Sequence, residues 1–181
     1  KIPLAHISGG EITEGAIDEQ VRHAATKFSH FRFVANETYA NRVIQMGEEP
    51  WRVCISGEPG LDAIKNLQLL TKSELYKDLD INMSDITGLV TYHPETLLDD
   101  TSSNLSFAQL IEGMEKAYLE KGINFVITYP NTDAGSKNII EGFKSFISKY
   151  SNCRLIKSLG HRRYLSALLH CDFMLGNSSS G

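Results

Sequence analysis

The chain has 181 residues, of which 41% are hydrophobic, 22% charged and 9% aromatic, a composition that is typical of a globular protein and excludes disorder, collagen-like repeats and a coiled coil. The 18 basic and 22 acidic residues give a formal net charge of −4 without any basic tract, so neither nucleic acid nor an anionic membrane is an expected partner. The longest apolar runs are strand-sized, well short of the roughly 20 residues that a membrane helix needs.

Short apolar runs recur along the chain and predict buried parallel strands, because strands that are covered on both faces lose strict polar alternation. We place them at residues 3–7, 31–35, 53–56, 88–92, 124–129, 154–156 and 173–176. Between these runs, apolar residues recur at helical spacing within residues 17–28, 107–118, 140–150 and 165–169. Thr71 and Glu74 fit a capping box, which predicts a helix that begins at about Ser73. This alternation predicts right-handed β-α-β units and a doubly wound α/β fold.

Residues 58–84 differ from the rest of the chain, since they contain two short polar helical segments and no clear strand. We therefore predict that residues 1–57 are the C-terminal part of a first Rossmann-like domain. Residues 58–84 are predicted to connect it to a second Rossmann-like domain, most of which is formed by residues 85–181. Because the chain opens inside an apparent strand and closes at the start of a turn, we expect it to be a fragment of a longer protein.

The segments that follow the predicted strands hold most of the candidate chemistry, because ligands of open α/β sheets bind at the carboxyl ends of strands. In GNSSSG, residues 176–181, small residues let backbone N–H groups approach an anion, and the hydroxyls of Ser178, Ser179 and Ser180 can donate to phosphate oxygens. The alternative is an ordinary turn with an N-cap serine. The chain lacks a P-loop lysine here and G-x-G-x-x-G throughout, so we predict no dinucleotide cofactor.

Carboxylates cluster in the loop after the first predicted strand and in the helix that follows it. Glu11, Glu14, Asp18 and Glu19 lie close together in sequence, and carboxylates that approach one another can act as general acids and bases. The alternative is that acidic residues in a first helical turn only interact with the helix dipole. We favour that alternative for Glu14 and Glu19, and it remains open for Glu11.

Two histidines directly follow or end predicted strands. His93 precedes Pro94, which keeps it extended, and a histidine at this edge of a sheet could donate to a phosphate or transfer a proton. His6 occupies a comparable position. For both residues the alternative is a structural role.

Other polar residues give weaker indications of a site. Asn131 and Asp133, in the loop PNTDAGSK, suit a network to ribose or sugar hydroxyls, although this sequence also makes an ordinary turn. Arg22 lies one turn after Asp18, so its simplest role is an ion pair on the helix. The cysteines are odd in number and lack C-x-x-C spacing, which argues against a disulfide framework or a zinc site and favours a cytoplasmic location. No metal is predicted.

Taken together, HISGGEITEGAIDEQVRHAATKFSH, GEPGLD, TYHPET, YPNTDAGSK and GNSSSG resemble, in order and spacing, the hydrolysing UDP-N-acetylglucosamine 2-epimerases. These are the bacterial enzymes of sialic-acid synthesis and the epimerase half of a bifunctional animal enzyme. The resemblance covers essentially the whole chain. It implies a two-domain fold like that of the GT-B glycosyltransferases, and conversion of UDP-N-acetylglucosamine and water to UDP and N-acetylmannosamine. In that family, UDP is eliminated as the C2 proton is removed, and water then adds to the glycal.

The resemblance also implies roles for individual residues. Glu11 and Asp18 match the family's catalytic carboxylates, and His93 matches the histidine that acts near the diphosphate; which carboxylate removes the C2 proton stays open. The substrate-binding residues that follow from the motifs, or from positions beside them, are His6, Arg22, Asn131, Asp133, Ser178, Ser179 and Ser180.

Several family segments have no counterpart in this chain: an N-terminal loop with an arginine, a loop with an aspartate, and a C-terminal glutamate for the ribose. We therefore expect the 181 residues alone to be inactive and the full-length protein, a homo-oligomer, to be active. The alternatives are a GT-B glycosyltransferase, a non-hydrolysing 2-epimerase and a nucleotide-sugar-binding module. The sugar could also be a 2,4-diacetamido relative, or be linked to GDP.

Overall fold

A computed structural model describes residues 2–13, 17–82, 85–94, 100–132 and 135–178. The chain forms two compact units, Lys1–Leu67 and Gln68–Gly181. Both are α/β units with parallel strands, which confirms the predicted fold class.

In the first unit, the described residues form a parallel sheet of strand order β1-β2-β3. In chain order, its elements are β1 (Ala5–Ile7), α1 (Asp18–Phe28), β2 (Phe31–Val34), α2 (Glu37–Gln45), a 3-10 turn (Pro50–Arg52), β3 (Val53–Ile55) and α3 (Pro59–Asn66). The strands and α1 lie where the sequence predicts them, within two residues at each end. Helix α2 was not predicted, although Asn36 caps it by accepting from the Tyr39 N–H.

In the second unit, the described residues form a parallel sheet of order β6-β5-β4-β7. Its elements are α4 (Lys72–Asp78), β4 (Thr87–Thr91), α5 (Asp100–Lys121), β5 (Asn124–Thr128), α6 (Ser136–Lys149), β6 (Arg154–Ile156), α7 (Gly160–His170) and β7 (Phe173–Gly176). The strand order reverses between β4 and β7, and ligands of doubly wound sheets bind at such a switch point. The capping box at the start of α4 is confirmed.

The predicted domain connection, residues 58–84, contributes a helix to each unit, α3 to the first and α4 to the second. Helix α4 packs into the core of the second unit through Leu75, Tyr76 and Leu79. The division of the full-length protein into domains at residues 57 and 84 stays a prediction.

The second unit buries apolar side chains on both faces of its sheet, and every residue of β4 and β5 is buried. One cluster lies beneath α5 and α6 and includes Met114, Phe143 and Phe146. The other lies beneath α4 and α7 and includes Leu75 and Ala167. This double cover explains why these strands read as continuous apolar runs.

Among the described residues of the first unit there is one small buried cluster, formed by Val34, Ala40 and Val43 between the sheet and α2. The helical spacing within residues 17–28 correctly predicts α1, but its apolar residues Ile17, Val21 and Phe28 are exposed. The side of α1 that is buried carries Thr26. Across the described residues of both units, no helix is long and apolar enough to cross a membrane.

Candidate functional site

The ends of β4 and β7 are joined by a side chain just past the sheet. The His93 N–H donates to Asn177 Oδ1 at 2.8 Å, and Asn177 Nδ2 donates to the His93 carbonyl at 2.9 Å. The carboxamide thereby continues the β4–β7 ladder, whose last pair is Thr91 with Gly176. This bridge holds His93 at the edge where the strand order reverses.

Gly176 is required for this junction. Its φ is +146°, and a Cβ built on it would overlap the backbone carbonyl oxygen of Thr91. The first residue of GNSSSG therefore lets β7 approach β4 more closely than any residue with a side chain allows.

The ring of His93 is oriented by the next loop of the sheet. The backbone N–H of Asn131 donates to His93 Nδ1 at 3.1 Å. A nitrogen that accepts from a backbone N–H carries no hydrogen of its own, so neutral His93 has its proton on Nε2. The N–H group of the neutral His93 ring is therefore the one at Nε2, at the switch point.

The remaining predicted residues of this unit are only partly within the described residues. Ser178 follows β7 and is half-buried, and Asn131 is exposed. Asp133, Ser179 and Ser180 lie outside the described residues. Their predicted contacts to phosphate or sugar stay predictions.

A cavity of about 300 Å³ opens at the carboxyl ends of β5 and β6, beside the first turn of α7. Its lining includes Tyr129, Lys157, His161 and Tyr164. Residues 158–161, SLGH, follow the strand predicted at 154–156, but none of the residues that line this cavity was a predicted site residue. The signal was available, because His161 lies in the first turn of the helix that follows a strand.

Buried hydroxyls connect this cavity to the central strands. Thr128 Oγ1 donates to the Val90 carbonyl at 3.2 Å, and it lies 3.0 Å from Thr91 Oγ1. Thr91 Oγ1 lies 3.5 Å from the hydroxyl of Tyr164. The chain of hydroxyls fixes the ends of β4 and β5 without leaving these buried polar groups unpaired.

In the first unit, the glycine pair after β1 is packed tightly against two helices. A Cβ on Gly9 would lie 3.2 Å from Thr26 Oγ1 and 3.3 Å from His6 Nδ1. Gly10 has a φ of +78°, and its carbonyl accepts from Arg42 on α2. The backbone that leads to Glu11 is thereby fixed on both sides.

Glu11 lies beside Arg22 of α1. Arg22 Nη2 is 3.9 Å from the Glu11 carboxylate, and Arg22 Nη1 donates to Thr13 Oγ1 at 2.8 Å. Both side chains of the Glu11–Arg22 pair are largely buried, with 25% and 21% exposed. The structure thus holds this carboxylate over the first half of α1.

The predicted helical ion pair between Arg22 and Asp18 is wrong. Asp18 is the first residue of α1 and is exposed, so an ion pair there would contribute little to stability. The loop after Gly10 folds back over α1 and offers Arg22 a hydroxyl and a carboxylate instead. Sequence spacing along the helix cannot reveal a partner that the preceding loop supplies.

His6 contacts α1 through its ring, since Nδ1 lies 3.0 Å from Thr26 Oγ1. Burial, and then the positive charges of Arg22 and Arg32, lower the pKa of His6 below its usual value of 6.5. His6 is therefore a neutral imidazole at neutral pH. Among the residues that the structure describes, no group of three or more His, Cys, Asp or Glu side chains is arranged to hold a metal ion.

The whole chain, residues 1–181, matches the protein family described as UDP-N-acetylglucosamine 2-epimerase. It is 37% identical over 182 residues to the GDP/UDP-N,N'-diacetylbacillosamine 2-epimerase (hydrolyzing) of Campylobacter jejuni, covering 99% of this chain and 46% of that protein. It is 33% identical over 180 residues to the UDP-N-acetylglucosamine 2-epimerase of Neisseria meningitidis, covering 98% and 45%. The chain spans about half the length of these relatives.

A solved structure has the same fold. The crystal structure of UDP-GlcNAc 2-epimerase from Neisseria meningitidis bound to UDP-GlcNAc matches with a TM-score of 0.73 at 18% identity, covering 98% of this chain and 48% of that one.

Proposed function

The chain belongs to the UDP-N-acetylglucosamine 2-epimerase family, and from that premise we propose that the full-length protein is a hydrolysing 2-epimerase of nucleotide-linked 2-acetamido sugars. The reaction converts UDP-N-acetylglucosamine, or a close relative, and water to the nucleoside diphosphate and N-acetylmannosamine or its counterpart. It serves the synthesis of sialic-acid-type sugars. No cofactor is needed, because the C2 proton, the leaving diphosphate and water account for every bond that changes.

The observation that carries the proposal is the N–H donor of His93 at the switch point between β4 and β7. In the elimination, the C1–O bond breaks and negative charge develops on the departing diphosphate. Donors that are already fixed in place stabilise such charge without reorganisation. Asn177 and Asn131 fix His93 in this way, and the hydroxyls of the GNSSSG segment would add further donors.

Removal of the C2 proton requires a carboxylate, and Glu11 and Asp18 are the candidates. The contacts between Glu11 and Arg22 favour Glu11, because a base must be held within hydrogen-bond distance of the proton that it removes. Once the proton has left C2 and the diphosphate has left C1, water adds its hydroxyl to C1 and a proton returns to C2 on the opposite face. N-acetylmannosamine results.

The cavity beside α7 suits the nucleotide base. Its volume of about 300 Å³ lies at the lower end of ligand-pocket sizes. Tyr129 and His161, which line it, can stack on a pyrimidine ring, and Lys157 on the same lining would contact the ribose or phosphates.

The substrate is a nucleotide-linked sugar whose second position carries an acetamido group. One relative is named for GDP- and UDP-linked N,N'-diacetylbacillosamine and another for UDP-N-acetylglucosamine. Their identities to this chain, 37% and 33%, are too similar to separate the two sugars. Both therefore belong in the test.

The test uses the full-length protein in deuterated water, with UDP-N-acetylglucosamine and with UDP- and GDP-linked N,N'-diacetylbacillosamine as separate substrates. Proton NMR should detect one free 2-epimerised sugar for each nucleoside diphosphate, with deuterium at C2. An epimer that keeps its nucleotide would indicate a non-hydrolysing 2-epimerase. A requirement for a sugar acceptor would indicate a glycosyltransferase, and binding without turnover would indicate a binding module.

A further inference from the structure

Thr26, in the last turns of α1, is fully buried and makes two hydrogen bonds through one hydroxyl. Its Oγ1 donates to the Arg22 carbonyl at 3.1 Å and lies 3.0 Å from His6 Nδ1. A hydroxyl has a single hydrogen. Both hydrogen bonds can exist together only if His6 Nδ1 is the donor and Thr26 Oγ1 the acceptor.

The surroundings of Thr26 keep this geometry fixed. Its carbonyl accepts from Arg32 Nε at 3.2 Å and from the Ser29 N–H at 3.2 Å. Arg32 is itself buried and ion-paired with Glu48. A Cβ on Gly9 would lie 3.2 Å from Thr26 Oγ1 and 3.3 Å from His6 Nδ1, so the glycine leaves the contact between these two atoms undisturbed.

Burial of His6, and then the charges around it, favour the neutral ring. Arg22 faces it from α1 and Arg32 from β2, and both lower its pKa. A neutral imidazole with its proton on Nδ1 has a lone pair on Nε2. His6 Nε2 makes no hydrogen bond within the part of the chain that the structure describes.

We infer that Thr26 is a positioning residue that holds His6 as the Nδ1–H tautomer, so that Nε2 accepts a hydrogen bond from the sugar of the substrate. A neutral acceptor has no attraction for a diphosphate, which offers no N–H or O–H group when it is ionised. A sugar hydroxyl or the acetamido N–H does offer one. This assignment of the ligand of Nε2 depends on the proposed function, whereas the tautomer does not.

The tautomer is tested by long-range ¹H–¹⁵N correlation in full-length protein labelled at histidine, with His6→Asn used to assign the signals. Wild type and Thr26→Ser, which keeps the hydroxyl, should show an unprotonated Nε2. Thr26→Val, which has nearly the same shape, should lose this preference. Thr38→Val, at an exposed position of α2, is the control and should match wild type. A wild-type protein with its proton on Nε2 would overturn the inference, even if Thr26→Val failed to fold.

The ligand of Nε2 is tested by titration calorimetry with UDP and with UDP-N-acetylglucosamine. For Thr26→Val, we expect affinity for the nucleotide sugar to fall by about 5- to 20-fold, the equivalent of one misplaced hydrogen bond, and affinity for UDP to stay unchanged. For Thr26→Ser, which keeps the hydroxyl, we expect both the affinity for UDP-N-acetylglucosamine and the affinity for UDP to match those of wild type. Equal losses for both ligands would place His6 at the diphosphate and refute the assignment. An Nδ1–H tautomer in a protein that binds neither ligand would refute the proposed function and leave the positioning role of Thr26 standing.

Discussion

The two units are built from the same alternation of strand and helix, but different groups hold them together. In the second unit, large apolar side chains such as Phe143 on one face and Leu75 on the other fill both faces of the sheet. In the first unit, Phe28 of α1 is 78% exposed, and buried polar side chains such as Arg32 and Thr26 anchor the helix to the strands. Apolar contacts have no preferred direction, whereas a hydrogen bond fixes the orientation of both groups and the atom that carries the proton. We therefore expect the first unit to hold its side chains in defined orientations, and the second unit to contribute more of the free energy of unfolding.

The same contrast separates the two strand-end histidines. His6 in the first unit donates through Nδ1 to a side chain and keeps an acceptor nitrogen. His93 in the second unit accepts through Nδ1 from the backbone of Asn131, so the neutral ring carries its proton on Nε2. Two residues at comparable strand ends therefore carry their proton on different ring nitrogens, because different groups contact Nδ1.

The largest expected effect concerns the carboxylate of the first unit. Glu11→Gln should lower kcat of the full-length enzyme by about 100- to 10,000-fold, since the loss of a general base typically costs this much. Its affinity for UDP should stay nearly intact, as measured by titration calorimetry. Asp18→Asn is the matched comparison, and a greater loss of kcat in that variant would make Asp18 the base.

The difference in packing is tested by two phenylalanine truncations. Phe143→Ala should destabilise the second unit by about 3–5 kcal/mol, because Phe143 is fully buried and packs edge-to-face on Phe107. Phe28→Ala should change the free energy of unfolding by less than about 0.5 kcal/mol, since exposed side chains contribute little. Urea unfolding of the chain measures both. A large effect of Phe28→Ala would mean that α1 is covered in solution.

A smaller effect is expected at the junction of β4 and β7. Asn177→Ala removes two hydrogen bonds to the backbone of His93 and should cost about 1 kcal/mol, because Asn177 is exposed to competing water. Thermal unfolding measures the loss, and Asn152→Ala, in an exposed turn, is the control. In Asn177→Ala, the NMR signals of the His93 ring should also broaden. Unchanged signals would show that the hydrogen bonds from Asn177 do not hold His93 in place.

The smallest effect is the pH dependence that His6 contributes to stability. Because the pKa of His6 is lowered in the folded state, the unfolded chain takes up a proton first as the pH falls below 6.5. Stability therefore decreases from pH 6.5 down to the folded-state pKa and is unaffected by His6 above pH 6.5. In His6→Asn, the slope of unfolding free energy against pH in this window should be shallower. An identical slope would mean that His6 titrates normally.

The elements of the fold were largely predictable, because their signals are local. Apolar runs located the strands to within two residues, and Thr71 with Glu74 located the start of α4. Helix α2 was missed although its cap, Asn36, was visible in the sequence. What covers α1 could not be predicted, since spacing reveals that Ile17 and Val21 share a helix face and not whether anything packs against it.

The sequence predicted which loops contribute to the candidate site. It did not predict most of the contacts that the residues of these loops make. His93 follows β4 and Glu11 follows β1, so both lie in loops at the carboxyl ends of strands, where the sequence analysis expected candidate catalytic residues. Asn177 was overlooked, because the serines beside it are the more familiar phosphate ligands. The contact between His6 and Thr26 joins residues 20 apart in the chain, and no local pattern indicates such a pairing.

The close approach of Gly176 to Thr91 has a practical consequence for anyone who randomises this loop. Every replacement at 176 would be lost, whatever its polarity, because the obstacle is the main chain of the neighbouring strand. At 177, replacements of asparagine should still fold, at a cost of about 1 kcal/mol, but they release the backbone of His93, since both ends of the carboxamide are used. Useful diversity therefore begins at residue 178, and a selection for altered nucleotide preference should place its degenerate codons from there onward.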